Sequence, residues 1–290
     1  MTKRVLVLGV GGMLGNTCFS HFNRIKEFET FGTWRKPGQF RISSFNALSD
    51  SIPELIDEIK PDWIINCIGV IKQKIDFNDL ESNANTFAIN AEFPKTLAES
   101  VSSTNIRVIQ IATDCVYLGN KGQYFEDSIH DATDLYGKSK SLGEINSNEF
   151  LNLRASIIGR EITSSFSLTN WFLSQRNSAK IEGFINHKWN GVTALAYSKI
   201  IASIIINDKF ISGTFHLVPL GEVSKFELLQ LFAKYFNRND IEITPRVANP
   251  SIDRTLKTNF PRFNEELWRL AGYKEVPQIE FLVNEFSNYS

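Results

Sequence analysis

The sequence is short of the residues that mark several protein classes. Its 290 residues hold three cysteines, Cys18, Cys67 and Cys115. A set that is odd and sparse excludes a disulfide scaffold and points to reduced thiols in a cytoplasmic protein. The four histidines, His21, His130, His187 and His216, have no metal-ligand spacing, so no zinc site is expected. Charge of one sign is also lacking. Lys plus Arg number 31 and Asp plus Glu 32, a formal net charge of −1. A nucleic-acid partner would normally need a basic surplus, although a local basic pocket for a phosphate stays open. No apolar run approaches the ~18 residues of a membrane span. Lys3-Arg4 ahead of Val5-Leu6-Val7-Leu8 superficially resembles a secretory leader, but the run is short and ends in glycines, as a buried strand would. There is no internal repeat and no low-complexity linker.

What remains is a globular composition, 42% hydrophobic and 22% charged. A chain this long buries about three quarters of its unfolded surface and needs no covalent or metal staple. In the first half, short apolar runs alternate with helical patterns. Strands are expected at 5–8, 30–34, 63–68, 106–112 and 150–158. Helices are expected at 13–25, 52–59 (ending before Pro61), from the strand at 63–68 onward to about Val101, and at 135–145. That alternation predicts an α/β fold of Rossmann type, a doubly wound parallel sheet with helices on both faces. Nearly continuous apolar strands fit a sheet covered on both sides. After about Gly159 the alternation breaks. A helix at 195–206 and a strand at 214–218 could return to the sheet, and the rest reads as a smaller C-terminal substrate lobe. The expected division is a dinucleotide-binding domain over 1–160, rejoined at about 192–218, and a mainly substrate-binding lobe over 161–290.

The first strand runs into Gly9-Val10-Gly11-Gly12-Met13-Leu14-Gly15, a G-x-x-G-x-x-G spacing. Glycines permit a tight strand-to-helix turn and a bare backbone that a pyrophosphate can approach. The helix N-terminus, at Met13 and Leu14, then offers free N–H groups and a positive dipole end. An acidic residue that would hold the ribose hydroxyls of NAD is missing at the end of the second strand, where Thr33-Trp34-Arg35-Lys36 stands instead. Arg35 and Lys36 suit the 2′-phosphate of NADP, so NADP(H) is expected ahead of NAD(H).

A second signal is Tyr136-Gly137-Lys138-Ser139-Lys140. Tyr136 and Lys140 lie four apart and share a helix face. An ammonium there is expected to lower the tyrosine pKa and let the phenol exchange a proton with a sugar oxygen. Gly137-Lys138-Ser139 is no phosphate loop, because that motif needs glycine where Ala132 stands. Upstream, Thr113 ends the strand Ile106 to Ala112, the edge where an open α/β sheet places its chemistry. Its hydroxyl can bond a substrate carbonyl and orient Tyr136.

In this order, these features resemble the extended short-chain dehydrogenase/reductase family. The likeness also takes in Asn66-Cys67-Ile68-Gly69, Asn90-Ala91-Glu92-Phe93-Pro94 and Leu153-Arg154. It is greatest with the dTDP-4-dehydrorhamnose reductase group, through Thr113-Asp114-Cys115-Val116-Tyr117-Leu118-Gly119 and Tyr136-Gly137-Lys138-Ser139-Lys140-Ser141-Leu142-Gly143-Glu144. The likeness spans about residues 3–160 and thins afterwards. It implies reduction of a 4-keto-6-deoxy nucleotide sugar for surface polysaccharide synthesis. Thr113, Tyr136 and Lys140 would be catalytic, with Cys67, Gly69 and Asn90 joining the glycine loop around the cofactor. Asp114 and Val116 would face the substrate, and a homodimer through the helix bearing Tyr136 is implied.

The pattern also departs from its relatives. Related 4,6-dehydratases carry Glu where Cys115 stands, so dehydration is not expected. GDP-fucose synthase carries a cysteine there that acts in epimerisation, which opens an epimerase, or epimerase with reductase, as an alternative. His187 would then be a candidate to oppose Cys115. Asn186 to Thr193 replaces a Gln-x-Gly-x-Pro-Thr-like segment. Trp189 and Asn190 are candidates to stack on or bond the sugar nucleotide, and Arg254 to meet its diphosphate. A third alternative is a non-catalytic, NADP-binding regulatory protein, since a regulatory subunit of methionine adenosyltransferase shares the superfamily.

Overall fold

The computed structural model describes residues 2–36, 41–162 and 165–289. The chain starts with β1 (Lys3–Leu8), α1 (Met13–Phe22), β2 (Phe28–Trp34), the short β3 (Ile42–Ser44) and α2 (Ile52–Ile59). Then come β4 (Trp63–Asn66), α3 (Leu80–Phe87), α4 (Phe93–Val101), β5 (Arg107–Ala112), α5 (Leu135–Leu142) and β6 (Phe150–Arg154). The second half holds β7 (Ile157–Ile158), α6 (Leu168–Leu173), β8 (Lys180–Phe184), β9 (His187–Trp189), β10 (Val192–Thr193), α7 (Ala194–Ile206) and β11 (Gly213–His216). It ends with β12 (Val223–Ser224), α8 (Lys225–Tyr235), β13 (Glu242–Arg246), β14 (Ile252–Asp253), α9 (Pro261–Leu270) and α10 (Ile279–Ser287).

Seven strands form one sheet in the order β11-β6-β5-β4-β1-β2-β3, every neighbour parallel. This is the expected Rossmann-type sheet. Strands β1, β4 and β6 are almost wholly buried because both faces are covered. Val5, Val7, Ile65 and Leu153 pack on α1 and α7, while Leu6, Leu8, Ile64 and Val108 pack on α2 and α4. The strand expected at 214–218 is β11, which extends the sheet beside β6. A third apolar cluster, with Phe172, Leu228, Phe232 and Val283, builds the C-terminal lobe around α6, α8 and α10.

Several expected boundaries shift. The helix expected at 13–25 ends at Phe22, where the backbone tightens into a turn. The helix expected to run on to Val101 is broken. Between α3 and α4 the backbone makes a wider π turn at Ala88–Glu92. Pro94 has no N–H to close a regular helical bond on the Asn90 carbonyl. The strand expected at 150–158 divides at Ala155, and its last part, β7, pairs instead with β10. Among the described residues no helix is long and apolar enough to cross a membrane.

Candidate active site

The glycine loop forms at the C-terminal end of β1. Gly9 takes φ +84°, a left-handed conformation that favours glycine, and its N–H donates to Thr33 Oγ1 at 3.0 Å. A β-carbon on Gly15 would stand 2.2 Å from the Gly9 carbonyl oxygen, so α1 lies against the loop backbone only with glycine there. The helix starts after Gly12 with no side-chain cap and no acidic residue in its first turn. Its first N–H groups therefore remain available to an anion. Leu14 is buried and Met13 packs against Gly159, so both offer backbone groups rather than side chains.

This loop opens on a cavity of about 540 Å³ bordered by Gly9, Gly12, Arg35, Lys36, Cys67 and Gly69. Six expected cofactor residues thus meet at one cleft. Lys36 sits 5.3 Å from the Trp34 ring centroid. Lys74, which the sequence did not single out, adds a further cation to the wall. A hydrogen bond with Cys18, then burial, push the Cys67 thiol well above its ordinary pKa, and the three cysteines are unpaired thiols. Bare backbone, uncapped helix N–H groups and cations without a neighbouring acid at the second strand's end fit an NADP-type dinucleotide.

Asn90 was expected to touch the cofactor, but it is buried and fully engaged. Its amide nitrogen donates to the Val70 carbonyl (3.0 Å) and Ser139 Oγ (3.1 Å), and its oxygen accepts from Val70 N–H (2.8 Å). It ties the loop after β4 to α5. The π turn delivers this side chain, which a plain helical periodicity does not reveal.

Thr113 follows β5. Its hydroxyl oxygen accepts from Cys115 N–H (3.2 Å), and its O–H donates to Asp114 Oδ1 (3.2 Å). Asp134 caps α5 through a bond from Gly137 N–H at 2.8 Å, which fixes where Tyr136 and Lys140 emerge. Lys140 Nζ donates to the Ile111 carbonyl at 3.0 Å, just before Thr113. Burial lowers the Lys140 pKa, while Glu144 and Cys67 act to raise it.

The expected depression of the Tyr136 pKa is not found. Burial pushes it upward, Cys115 adds to that, and only a hydrogen bond with Thr113 opposes them. Lys140 donates to Ile111 and is not among the groups that act on the Tyr136 phenol. Tyr136 thus stands protonated beside Thr113, in the state a proton donor needs.

On the lobe side, Asp114 is 8% exposed, and burial raises its pKa against the pull of Arg254 and Lys225. Burial, with Asp114 next, pushes the Cys115 thiol up to about 12. Arg254 donates from Nε to the Tyr117 carbonyl (2.8 Å) and from Nη2 to the Leu118 carbonyl (3.2 Å). Its charge favours the ionised form of Asp114.

Four expected substrate contacts change role. Val116 is 0% exposed, in a small core with Tyr117, Tyr124 and Leu256, and cannot face a ligand. His187 packs tilted against Phe184, ring centroids 4.6 Å apart, and its Nε2 lies 3.3 Å from the Pro250 carbonyl; it is not among the groups that act on Cys115. Asn190 spends both amide atoms on the Leu256 backbone, at 2.7 and 2.9 Å. Trp189 is buried, with its indole N–H donating to Ser156 Oγ at 2.8 Å. For Asn190 and His187 short-range sequence shows a polar residue but not the distant backbone that takes it up.

The residue that sequence reasoning missed is Lys225. It opens α8 just after Ser224, which forms a capping box with Glu227. Its ammonium lies 5.4 Å from the Trp189 ring centroid, and burial lowers its pKa to about 8 against the pull of Asp114 and Cys115. The Ser224-x-x-Glu227 signature marks the helix start, but nothing local shows that the lysine there is drawn over Trp189.

Comparison with known proteins agrees with this fold. A family profile described as "RmlD substrate binding domain" matches residues 3–278. Among curated proteins, the methionine adenosyltransferase 2 subunit beta of Xenopus tropicalis is 24% identical over 280 residues, covering 87% of this chain and 80% of that one. The dTDP-4-dehydrorhamnose reductase of Aggregatibacter actinomycetemcomitans is 28% identical over 221 residues, covering 72% and 69%. Among solved structures, a dTDP-4-dehydrorhamnose reductase from Bacillus anthracis in complex with NADP superposes with a TM-score of 0.78 at 20% identity, covering 99% of each chain.

Proposed function

Because the chain belongs to the RmlD substrate binding domain family, we propose that it is an NADPH-dependent reductase of a 4-keto-6-deoxy nucleotide sugar, similar in reaction to the dTDP-4-dehydrorhamnose reductases it matches. The observation that carries this is the juxtaposition of a protonated, half-buried Tyr136 and Thr113 at the end of β5, with Lys140 of the same helix reaching back to Ile111. The glycine loop, Arg35 and Lys36 would hold the dinucleotide, which supplies hydride when bound. Thr113 polarises the keto oxygen when its hydroxyl turns its one proton from Asp114 to the substrate. Tyr136, protonated at neutral pH, gives its proton to the oxygen as negative charge develops there. Lys140 braces the catalytic end of the sheet against α5.

Epimerisation centred on Cys115 is less well supported. Its thiol is held protonated, and His187 is turned to Phe184 and Pro250 rather than opposing it. A non-catalytic subunit remains the second reading, favoured by the similarity to methionine adenosyltransferase 2 subunit beta. Turnover separates the two. The protein with NADPH and dTDP-4-dehydrorhamnose should consume the reduced-nicotinamide absorbance. Tyr136→Phe should cut the rate roughly 100- to 10,000-fold, the usual contribution of a positioned proton donor, and leave NADPH binding intact. No oxidation across a panel of 4-keto nucleotide sugars would refute the reductase.

A further inference from the structure

The cavity at the glycine loop has two walls, and each brings cations to it. In the sheet β1 lies between β2 and β4, so the segments that follow β2 and β4 flank the glycine loop from either side. After β2, Trp34 lies against the loop backbone: a β-carbon on Gly11 would stand 2.1 Å from its Nε1. Its ring carries the Lys36 ammonium, 5.3 Å from the centroid, and Arg35 borders the same cavity. On the other side, beyond β4, Lys74 lines the cavity with Ser82 and Asn85 of α3. Three cations thus gather round one space, and no Asp or Glu stands among the residues that line it. None of the three makes an ion pair among the described residues, whereas Lys72, two positions before Lys74, is paired with Asp134 at 2.7 Å.

The loop that carries Lys74 is pinned along its length. Val70 exchanges two bonds with the Asn90 amide, at 2.8 and 3.0 Å. Lys72 to Lys74 form one tight turn, with the Lys74 N–H donating to the Ile71 carbonyl at 2.9 Å. Ile75 is buried, and the Asp76 N–H donates to Ser82 Oγ at 3.0 Å. The two lysines of this turn are therefore sorted. Lys72 is neutralised by the residue that caps α5, and Lys74 is left to the cavity.

Like charges around one cavity repel one another, and an anion bound between them relieves that repulsion. A lysine ammonium meets phosphate oxygens as a point charge with three donors. We propose that Lys74 anchors a phosphate of the bound dinucleotide from the wall opposite Arg35 and Lys36, so that the cofactor is gripped from both sides of the glycine loop. Lys74 lies between Gly69 and Asn90, in a stretch whose local pattern carries no cofactor motif. The proposal rests on the dinucleotide reading of the cavity and not on the identity of the sugar. Because Asp134 both holds Lys72 and caps α5, the loop that grips the phosphate is tied to the helix that bears Tyr136. NADP offers two kinds of phosphate, the pyrophosphate and the 2′-phosphate, and the experiment separates them.

The test is calorimetric titration of NADP and NAD into wild type, Lys74→Met and Lys74→Arg. Lys74→Met should weaken NADP roughly five- to fiftyfold, the range for a hydrogen bond from a charged group at a partly open site. Lys74→Arg should keep most of the affinity, because a cation still reaches the phosphate. A loss confined to NADP identifies the 2′-phosphate as the partner, and an equal loss for NAD identifies the pyrophosphate; either supports the anchor. Lys74 is exposed and unpaired among the described residues, so Lys74→Met without ligand should melt as wild type does. NADP affinity in Lys74→Met within about twofold of wild type would overturn the proposal. So would a loss in Lys74→Arg as deep as that in Lys74→Met, by showing that space and not charge matters at this position. Failure of wild type to bind either dinucleotide would remove the dinucleotide reading and this proposal with it. Wild type that binds NADP through Lys74 yet reduces no keto sugar would uphold the anchor and remove the reductase.

Discussion

Replacing Glu144 with Gln tests how the catalytic helix is fastened to the sheet. Glu144 lies just after α5, and its carboxylate takes two bonds from Arg154 of β6, from Nε at 3.0 Å and Nη2 at 2.5 Å. Arg154 is 1% exposed. Its Nη1 also donates to the Tyr117 hydroxyl and His216 Nε2, both at 2.6 Å, and Nη2 donates to His130 Nε2 at 2.9 Å. A guanidinium only donates, so both imidazoles must accept through Nε2 and carry their protons on Nδ1. Those protons go to the Lys257 carbonyl and Ser141 Oγ, both at 2.6 Å. Glu144 is then the one direct carboxylate partner of a buried cation among the described residues. Removing one partner of such a pair costs about 3–5 kcal/mol, and glutamine keeps one acceptor, which favours the lower end. Unfolding entropy near 2.1 cal/mol/K per residue gives a chain of 290 residues about 0.6 kcal/mol per degree, so Tm should fall by roughly 5 °C. Scanning calorimetry reads this directly. Glu144→Gln with Arg154→Met removes both charges but also the donor to Tyr117, His216 and His130, so it should lose more than the single variant. A single variant within about 1 °C of wild type, or a double variant as stable as wild type, would refute the reasoning.

Gly15→Ala should abolish NADPH binding while the fold survives, because the new methyl group meets the Gly9 carbonyl and pushes α1 off the loop; isothermal titration of NADPH and circular dichroism check the two halves. Arg35→Ala should weaken NADPH more than NADH, and equal losses for both would remove Arg35 from the 2′-phosphate site. Acid should destabilise the protein through its buried imidazoles. Burial, with Arg154 next, depresses His216 to about 4, and burial lowers His130. The folded state therefore holds these groups neutral while the unfolded chain protonates them near 6.5. Stability is present above about pH 6.5 and is lost as pH falls toward about 4. Melting curves over that window should slope less steeply in His216→Gln; an identical slope would place the acid sensitivity elsewhere.

The strands and the glycine turn could be read from sequence because their causes are local. Val5 to Leu8 is apolar on both faces, and Gly9, Gly12 and Gly15 carry a spacing whose geometry has few solutions. The order of Thr113, Tyr136 and Lys140 was legible for the same reason. A strand end and one helical turn place them with no long-range information. Tertiary packing decided the rest. Burial and Cys115 raised the Tyr136 pKa, and the amine expected to lower it is not among the groups that act on the phenol. The Leu256 backbone claimed Asn190, and Phe184 and the Pro250 carbonyl claimed His187. Local pattern shows which groups a segment offers. Which of them stay free for a ligand depends on backbone carbonyls and charges that only the folded chain brings near.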